Sequence, residues 1–337
     1  MEIILGIITG VAFGVILQRG RVCFNSAFRD LKLLKDNFLF KAIMFAIALE
    51  IVAFLFMAQM GWVHLNPKPF NIIGNIVGPF IFGIGMVLAG GCASGTTYRV
   101  GEGNTTSWLA LLFYGLTAWA TKKGMFSPIL KAVSKYTTKV SSISSLYLAD
   151  DKGKIGPTLA TLLHINPWII GIIVFAIIVA YLFLTKTTKR PDSKLSWQMI
   201  GILLIPVAMF GFWTSTLSGR PYPLGITGGW INVFMGYATK VKLNWEGAEV
   251  LGIVIGAFIT ALIYKEFKFR VPRRGVTYLQ VTIGGICMGF GAVLGGGCNI
   301  GHFFSGIPQL ALSSIVAGIF FILGNWFMSS ILYGGSK

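Results

Sequence analysis

Two stretches far apart in the chain are near copies: Phe82–Cys92 reads FGIGMVLAGGC and Met288–Cys298 reads MGFGAVLGGGC. Both carry glycine at the second, fourth, ninth and tenth places and cysteine at the eleventh. Phe13–Cys23, FGVILQRGRVC, keeps Gly14 at the second place and ends in cysteine; Phe210–Arg220, FGFWTSTLSGR, keeps Gly211 and Gly219 but ends in Arg220. Cys23 and Cys92 lie 69 residues apart, Arg220 and Cys298 78 apart, so the copies group as two pairs. The chain reads as a duplication, each half holding two copies.

The sequence around the copies is apolar. Of the 337 residues 55% are hydrophobic and only 12% charged, which excludes a soluble enzyme. Uncharged runs such as Pro167–Leu184 and Leu310–Phe327 reach the roughly 18 residues that cross about 30 Å of hydrocarbon. The expectation is an all-α membrane protein with nine spans, at 3–18, 40–60, 74–90, 105–121, 167–185, 198–217, 248–264, 276–294 and 309–330, plus short re-entrant or broken helices. Residues 1–121 form a first four-span half, 122–197 a polar loop and a linking helix, and 198–337 a second four-span half. One extra span between the halves turns the second upside down, which makes an inverted internal repeat. The opening MEIILG has Glu2 and no basic region, so no cleaved signal peptide is expected.

The formal charge of +17 places 28 Lys and Arg against 11 Asp and Glu. These residues sit in loops between spans, so lipid headgroups or an anionic solute, not nucleic acid, are the expected partners. With the N-terminus outside, the inner segments 19–41, 92–104, 186–197, 265–275 and the tail hold eight of nine arginines. That matches the excess of basic residues on cytoplasmic loops and puts the C-terminus inside. The loop 122–166 dissents with seven lysines. Its spacing of Ile129, Val133, Tyr136 and Val140 permits a basic interfacial helix; a collar that concentrates anions is the alternative.

In inverted-repeat transporters, broken helices meet near the bilayer midplane and form the solute site. Gly90-Gly91 and Gly296-Gly297 end their apolar runs and free backbone N–H groups at the next segment, a setting that attracts anions. Glycine alone serves helix packing equally well, but packing gives no reason for cysteine at the same step in three copies. Cys23, Cys92 and Cys298 lining such a path imply a soft solute, whereas Cys287, outside the motif, reads as a small core residue. Cys298 and His302 have ligand-like spacing for a soft metal, yet the spans hold one obvious acid, Glu50, and the electrostatics favour an anion. A sulfur oxyanion uses both features: its oxygens meet N–H groups and bases, its terminal sulfur meets thiols. Gly91 and Gly297 are placed on this path. Arg220 stands where a fourth cysteine would be and is assigned to the oxyanion end or to an interfacial loop. Arg21 and Arg99 assist exit or only obey the charge rule, and His302 lines the path. His64 and His164 read as loop residues, and Glu50 as functional or paired with a base.

On RGRVCF (Arg19–Phe24), GGCASGTTYR (Gly90–Arg99) and GGGCNIGH (Gly295–His302), the whole chain resembles the YeeE/YedE family of inner-membrane sulfur-compound transporters, in particular YeeE-type thiosulfate importers. The resemblance implies a nine-span, hourglass-shaped inverted repeat in the bacterial inner membrane. It also implies import of thiosulfate into the cytoplasm past three functional cysteines, here Cys23, Cys92 and Cys298, with no cofactor and no metal. Family members often work beside a small cytoplasmic TusA-like sulfur-handling protein, and related members are tied to selenium. Thiosulfate is a dianion, so the thiols should be neutral: an ionised cysteine in contact would repel it by several kcal/mol, about 4 kcal/mol per unit-charge pair at 4 Å and an effective dielectric near 20. The alternative is a membrane thiol enzyme, or a carrier of another sulfur or selenium compound, working through a transient persulfide. The absence of C-x-x-C argues against a dithiol relay.

Overall fold

The computed structural model describes residues 1–188, 190 and 194–334. Part of the basic segment 186–197 and the end of the second half, Lys337 included, lie outside the described residues. Helix α1 (Glu2–Arg19) and the short α2 (Phe24–Leu33) are followed by α3 (Phe38–Gln59), then α4 (Ile72–Leu88), the short α5 (Ala93–Gly101) and α6 (Thr105–Lys123). Small helices α7 (Ser127–Ser134) and α8 (Leu159–Leu163) lie in the long connection before α9 (Pro167–Leu184). Next come α10 (Trp197–Leu217), α11 (Thr227–Thr239), α12 (Trp245–Ile263) and α13 (Val276–Gly295). A π-helix, Ile300–Gly306, and a single 3-10 turn, Ile307–Gln309, precede α14 (Leu312–Tyr333).

Among the described residues eight segments are long and apolar enough to cross a membrane, and the chain is an all-α membrane protein. Three of them, Glu2–Leu33, Ile72–Gly101 and Val276–Gln309, each join a long helix to the short one beyond its break. The remaining expected span, 105–121, does form helix α6, but it is not one of the eight. Thr105, Thr106, Ser107, Tyr114, Thr117 and Thr121 dilute its apolar content, and the last four are buried. The loop 122–166 also departs from expectation. Its helix α7 covers Ile129 and Val133 but stops at Ser134; Tyr136 lies beyond it and Val140 pairs with Ile155 in a short antiparallel contact.

Each motif copy ends at a helix break. The left-handed residue falls at the ninth place in three copies, Arg21 (φ 50°), Gly90 (φ 69°) and Gly296 (φ 86°), and at the tenth, Gly219 (φ 79°), in the fourth. Gly90 and Gly296 therefore turn the chain, and not Gly91 or Gly297. Glycine carries no Cβ penalty there. Arg21 does, at about 1–2 kcal/mol, and is held by ion pairs to Glu102 and, at 2.8 Å, to Glu266.

The long helices pack through glycine. Along α1, Gly6, Gly10 and Gly14 face the backbone of Trp245, Glu249 and Ile253 in α12. Between α4 and α13, a Cβ added at Gly85 would stand 2.7 Å from the Gly284 carbonyl oxygen. Such seams let backbones approach as side chains would not allow. Cys287, half-buried, borders this second seam: the same added Cβ would lie 2.9 Å from its own. Glu50 is buried in α3 with neither carboxyl oxygen partnered, so no base pairs with it among the described residues. A second buried acid, Glu249, near the start of α12, accepts from the Gly225 N–H at 3.3 Å.

Candidate functional site

The breaks face two cavities. One, of about 240 Å³, is lined by Lys68, Lys122, Arg220, Tyr222, Glu246, Gly297 and Cys298 among others. It is called the lysine cavity below. The other, of about 570 Å³, is lined by Arg21, Tyr98, Arg99, Arg190, Lys194 and Arg270, with Glu102 and Glu266; this is the arginine cavity. Cations outnumber carboxylates three to one in the first and five to two in the second, so both attract anions.

Cys23 and Cys92 line neither cavity and are wholly buried. Each is the residue that caps a short helix, α2 and α5 respectively. Their Sγ atoms lie 3.7 Å apart, Cys23 donating to Cys92. The Cys92 sulfur also accepts from the Gly95 N–H at 3.3 Å and lies 3.3 Å from Ser94 Oγ. Gly95 makes room for the pair: a Cβ there would stand 2.6 Å from the Cys23 sulfur. The tip of α2 closes against the π-helix, with the Phe24 ring 5.0 Å from Phe303 and 5.2 Å from Phe304. The expected thiol set thus divides into Cys298 at the lysine cavity and a thiol pair buried in the protein interior.

The other expected residues are placed as follows. Gly297 lines the lysine cavity, and Gly91 lies against Arg99 and Thr96, where a Cβ would stand 3.2 Å from each. Arg220 reaches the lysine cavity, but its guanidinium donates to Ser215 Oγ at 2.9 Å, to the Tyr222 and Pro223 carbonyls, and to Glu246 at 2.9 Å. It braces the α10–α11 break with the bonds it has. Arg21 and Arg99 both line the arginine cavity. His302 is buried, with Nδ1 3.0 Å from Ser314 Oγ and no partner for Nε2. His64 and His164 are exposed, away from both cavities. Among the described residues no third Cys, His or carboxylate joins Cys298 and His302 as a metal set.

Sequence reasoning missed Lys68. It lies in the loop before α4, between Pro67 and Pro69, and its ammonium donates to the carbonyl of the left-handed Gly296 at 2.6 Å. Arg99 does the same for Gly90, also at 2.6 Å. A cation therefore sits on the turning carbonyl of both complete motif copies. Lys68 is also 4.4 Å above the Tyr222 ring. Burial, and then the neighbouring Arg220, lower its pKa to about 8 from the usual 10.5. No spacing in the sequence joins Lys68 to a motif 228 residues away; only its seat between two prolines sets it apart.

This arrangement can hold an anion in either cavity. The family described as sulphur transport matches residues 19–327. The thiosulfate transporter TsuA of Spirochaeta thermophila is 56% identical over 328 residues, 97% of this chain and 98% of that protein. TsuA of Escherichia coli K12 is 31% identical over 352 residues, covering 98% of this chain and 95% of its own. The probable transporter YedE of E. coli is 43% identical over 82 residues, 24% of this chain and 20% of that protein.

Proposed function

This chain belongs to the sulphur-transport family, and we propose that it imports thiosulfate into the bacterial cytoplasm along a path from the lysine cavity to the arginine cavity. The observation that carries the reading is the buried Cys23–Cys92 thiol pair, 3.7 Å apart, together with a cationic cavity that opens on Cys298 and another lined by Arg21 and Arg99. The matching relatives that cover nearly the whole chain are named transporters, which places it with carriers and not with thiol enzymes. In this reading the cationic cavities gather the dianion, and neutral thiols pass its terminal sulfur onward through weak hydrogen bonds. Weak, repeated contacts let a solute both enter and leave.

The halves 1–121 and 198–337 act as inverted repeats, with α6 as the ninth crossing, and the arginine cavity faces the cytoplasm, where a TusA-like sulfur-handling protein takes the product. The test is uptake of labelled thiosulfate by proteoliposomes. Alanine at Cys23, Cys92 or Cys298 should cut the rate roughly tenfold or more, since each removes a donor the solute uses, while Cys287→Ala stays near the parent. Undiminished uptake by all three motif variants would overturn the thiol path. A stable persulfide on Cys92, seen by mass analysis after exposure to thiosulfate, would favour covalent transfer instead.

A further inference from the structure

We propose that the side-chain amide of Asn299, with Nε2 of His302, is the oxygen-binding half of an anion site in the barrier between the two cavities. It holds the oxygens of a sulfur oxyanion while Cys92 and Cys23 take its terminal sulfur. This rests on the transport reading above and adds to it the element that reads the oxygens.

Asn299 is wholly buried, and neither its Nδ2 nor its Oδ1 has a hydrogen-bond partner. His302, on the π-helix that Asn299 caps, is equally buried; the Gly295 carbonyl lies beside its ring, but Nε2 makes no hydrogen bond of normal geometry. Of the eight buried side-chain atoms without a partner among the described residues, three belong to these two side chains. Buried polar groups are as a rule satisfied, because an unpaired one keeps the whole cost of its lost hydration. Three unpaired atoms in one turn point to a partner that comes and goes.

The surroundings say which partner. Asn299 follows Cys298 directly and lies beside the Cys92 thiol, without a bond of normal geometry. Its Nδ2 carries two N–H donors and its Oδ1 an acceptor, none of them engaged, so the amide is free to turn its N–H groups to an acceptor that enters beside the thiol. His302 Nε2 faces Gly297, where an added Cβ would stand 3.4 Å from it, toward the lysine cavity. An oxyanion selects the tautomer in which Ser314 donates to Nδ1 and Nε2 carries the proton. The site then offers neutral N–H donors on one side and thiols on the other. Sulfate satisfies the amide but brings a strongly hydrated oxygen where thiosulfate brings a soft sulfur. Neutral donors also suit passage, since a fixed cation in the barrier would trap a dianion.

The test uses Asn299→Leu, which keeps the volume and removes every polar atom. Leucine needs no partner, so the unliganded variant should melt at or above the parental temperature. Its thiosulfate-induced rise in melting temperature should vanish, and the KM for uptake should climb roughly tenfold or more, with the maximal rate less affected. Asn299→Asp, which replaces the donors by acceptors, should lose uptake altogether. Parental KM and parental ligand shift in Asn299→Leu would overturn the assignment and leave the transport reading standing. A lowered unliganded melting temperature with unchanged KM would mark Asn299 as a packing residue and overturn it too. Absence of thiosulfate uptake by the parent protein would sink the transport reading, and this site with it, before any variant is compared.

Discussion

Lys68 decides how the lysine cavity responds to pH. A lysine is cationic below its pKa, and burial together with Arg220 brings that of Lys68 down to about 8, against the opposite pull of Glu246 and Cys298. The charge is therefore lost in mildly alkaline solution instead of near pH 10. The cavity then falls from three cations, Lys68, Lys122 and Arg220, to two. The KM for thiosulfate should be flat to about pH 7 and rise through about pH 8 as the attraction weakens. Lys68→Arg should stay flat, because arginine does not titrate in this range. A parental KM unchanged from about pH 7 to about pH 9.5 would remove Lys68 from the anion site. The three motif cysteines were legible because a repeat singled them out; Lys68 and Asn299 were not. The first reaches Gly296 only through the tertiary fold, and the second stands inside a quoted motif but declares itself only through unmade hydrogen bonds.

At the level of elements, the repeat marked the breaks and named the pairs Gly90-Gly91 and Gly296-Gly297 without saying which glycine of each pair turns the chain. The ninth-place Gly90 and Gly296 take the left-handed conformation and the tenth-place Gly91 and Gly297 do not, although Gly296 and Gly297 both line the lysine cavity. Composition cannot distinguish adjacent glycines, since the difference lies in a dihedral angle. The two positions should fail in different ways. Nothing lies within 4 Å of a Cβ added at Gly296, so Gly296→Ala meets only backbone strain of about 1–2 kcal/mol. It should lower the melting temperature and leave the KM for thiosulfate near the parental value. At Gly297 the Lys68 ammonium and His302 Nε2 would stand 3.2 and 3.4 Å from a Cβ. Gly297→Leu should obstruct the cavity and abolish uptake in protein that inserts and folds. Identical phenotypes for the two would show that the pair serves only packing. Helix α6, expected as the span 105–121, has less apolar content than the other spans, because its buried Ser107, Tyr114, Thr117 and Thr121 belong to the interior of the bundle. Tyr114 is hydrogen-bonded to Thr227 at 2.8 Å, a contact between α6 and α11 that hydropathy cannot anticipate.

For the whole molecule, the distribution of arginine becomes a statement about direction. Arg21, Arg99, Arg190 and Arg270, from four separate loops or short helices, gather round one cavity, whereas the other has only Arg220. The start of α1 lies beside Trp245, next to Glu246 of the lysine cavity, so the N-terminal end of the chain belongs to that face. Basic residues are retained on the cytoplasmic side of short loops, and on that ground we propose that the arginine cavity faces inward and that passage from the lysine to the arginine cavity is import. The carboxylates fit this division of labour. Glu102 and Glu266 bind Arg21, and Glu102 lies 3.5 Å from Arg270, so part of the positive charge at the exit is already compensated. Cysteine introduced at Asp151, in the exposed loop after α7, should react with a membrane-impermeant maleimide in intact cells. Cysteine at Arg273, in the exposed segment between α12 and α13, should react only after the membrane is opened. Both positions are exposed, so accessibility within the protein does not limit either reaction. With Cys287→Ala as background, the reversed pattern would turn the molecule over in the membrane: the cavities would keep their chemistry, and the arginine cavity would become the entrance.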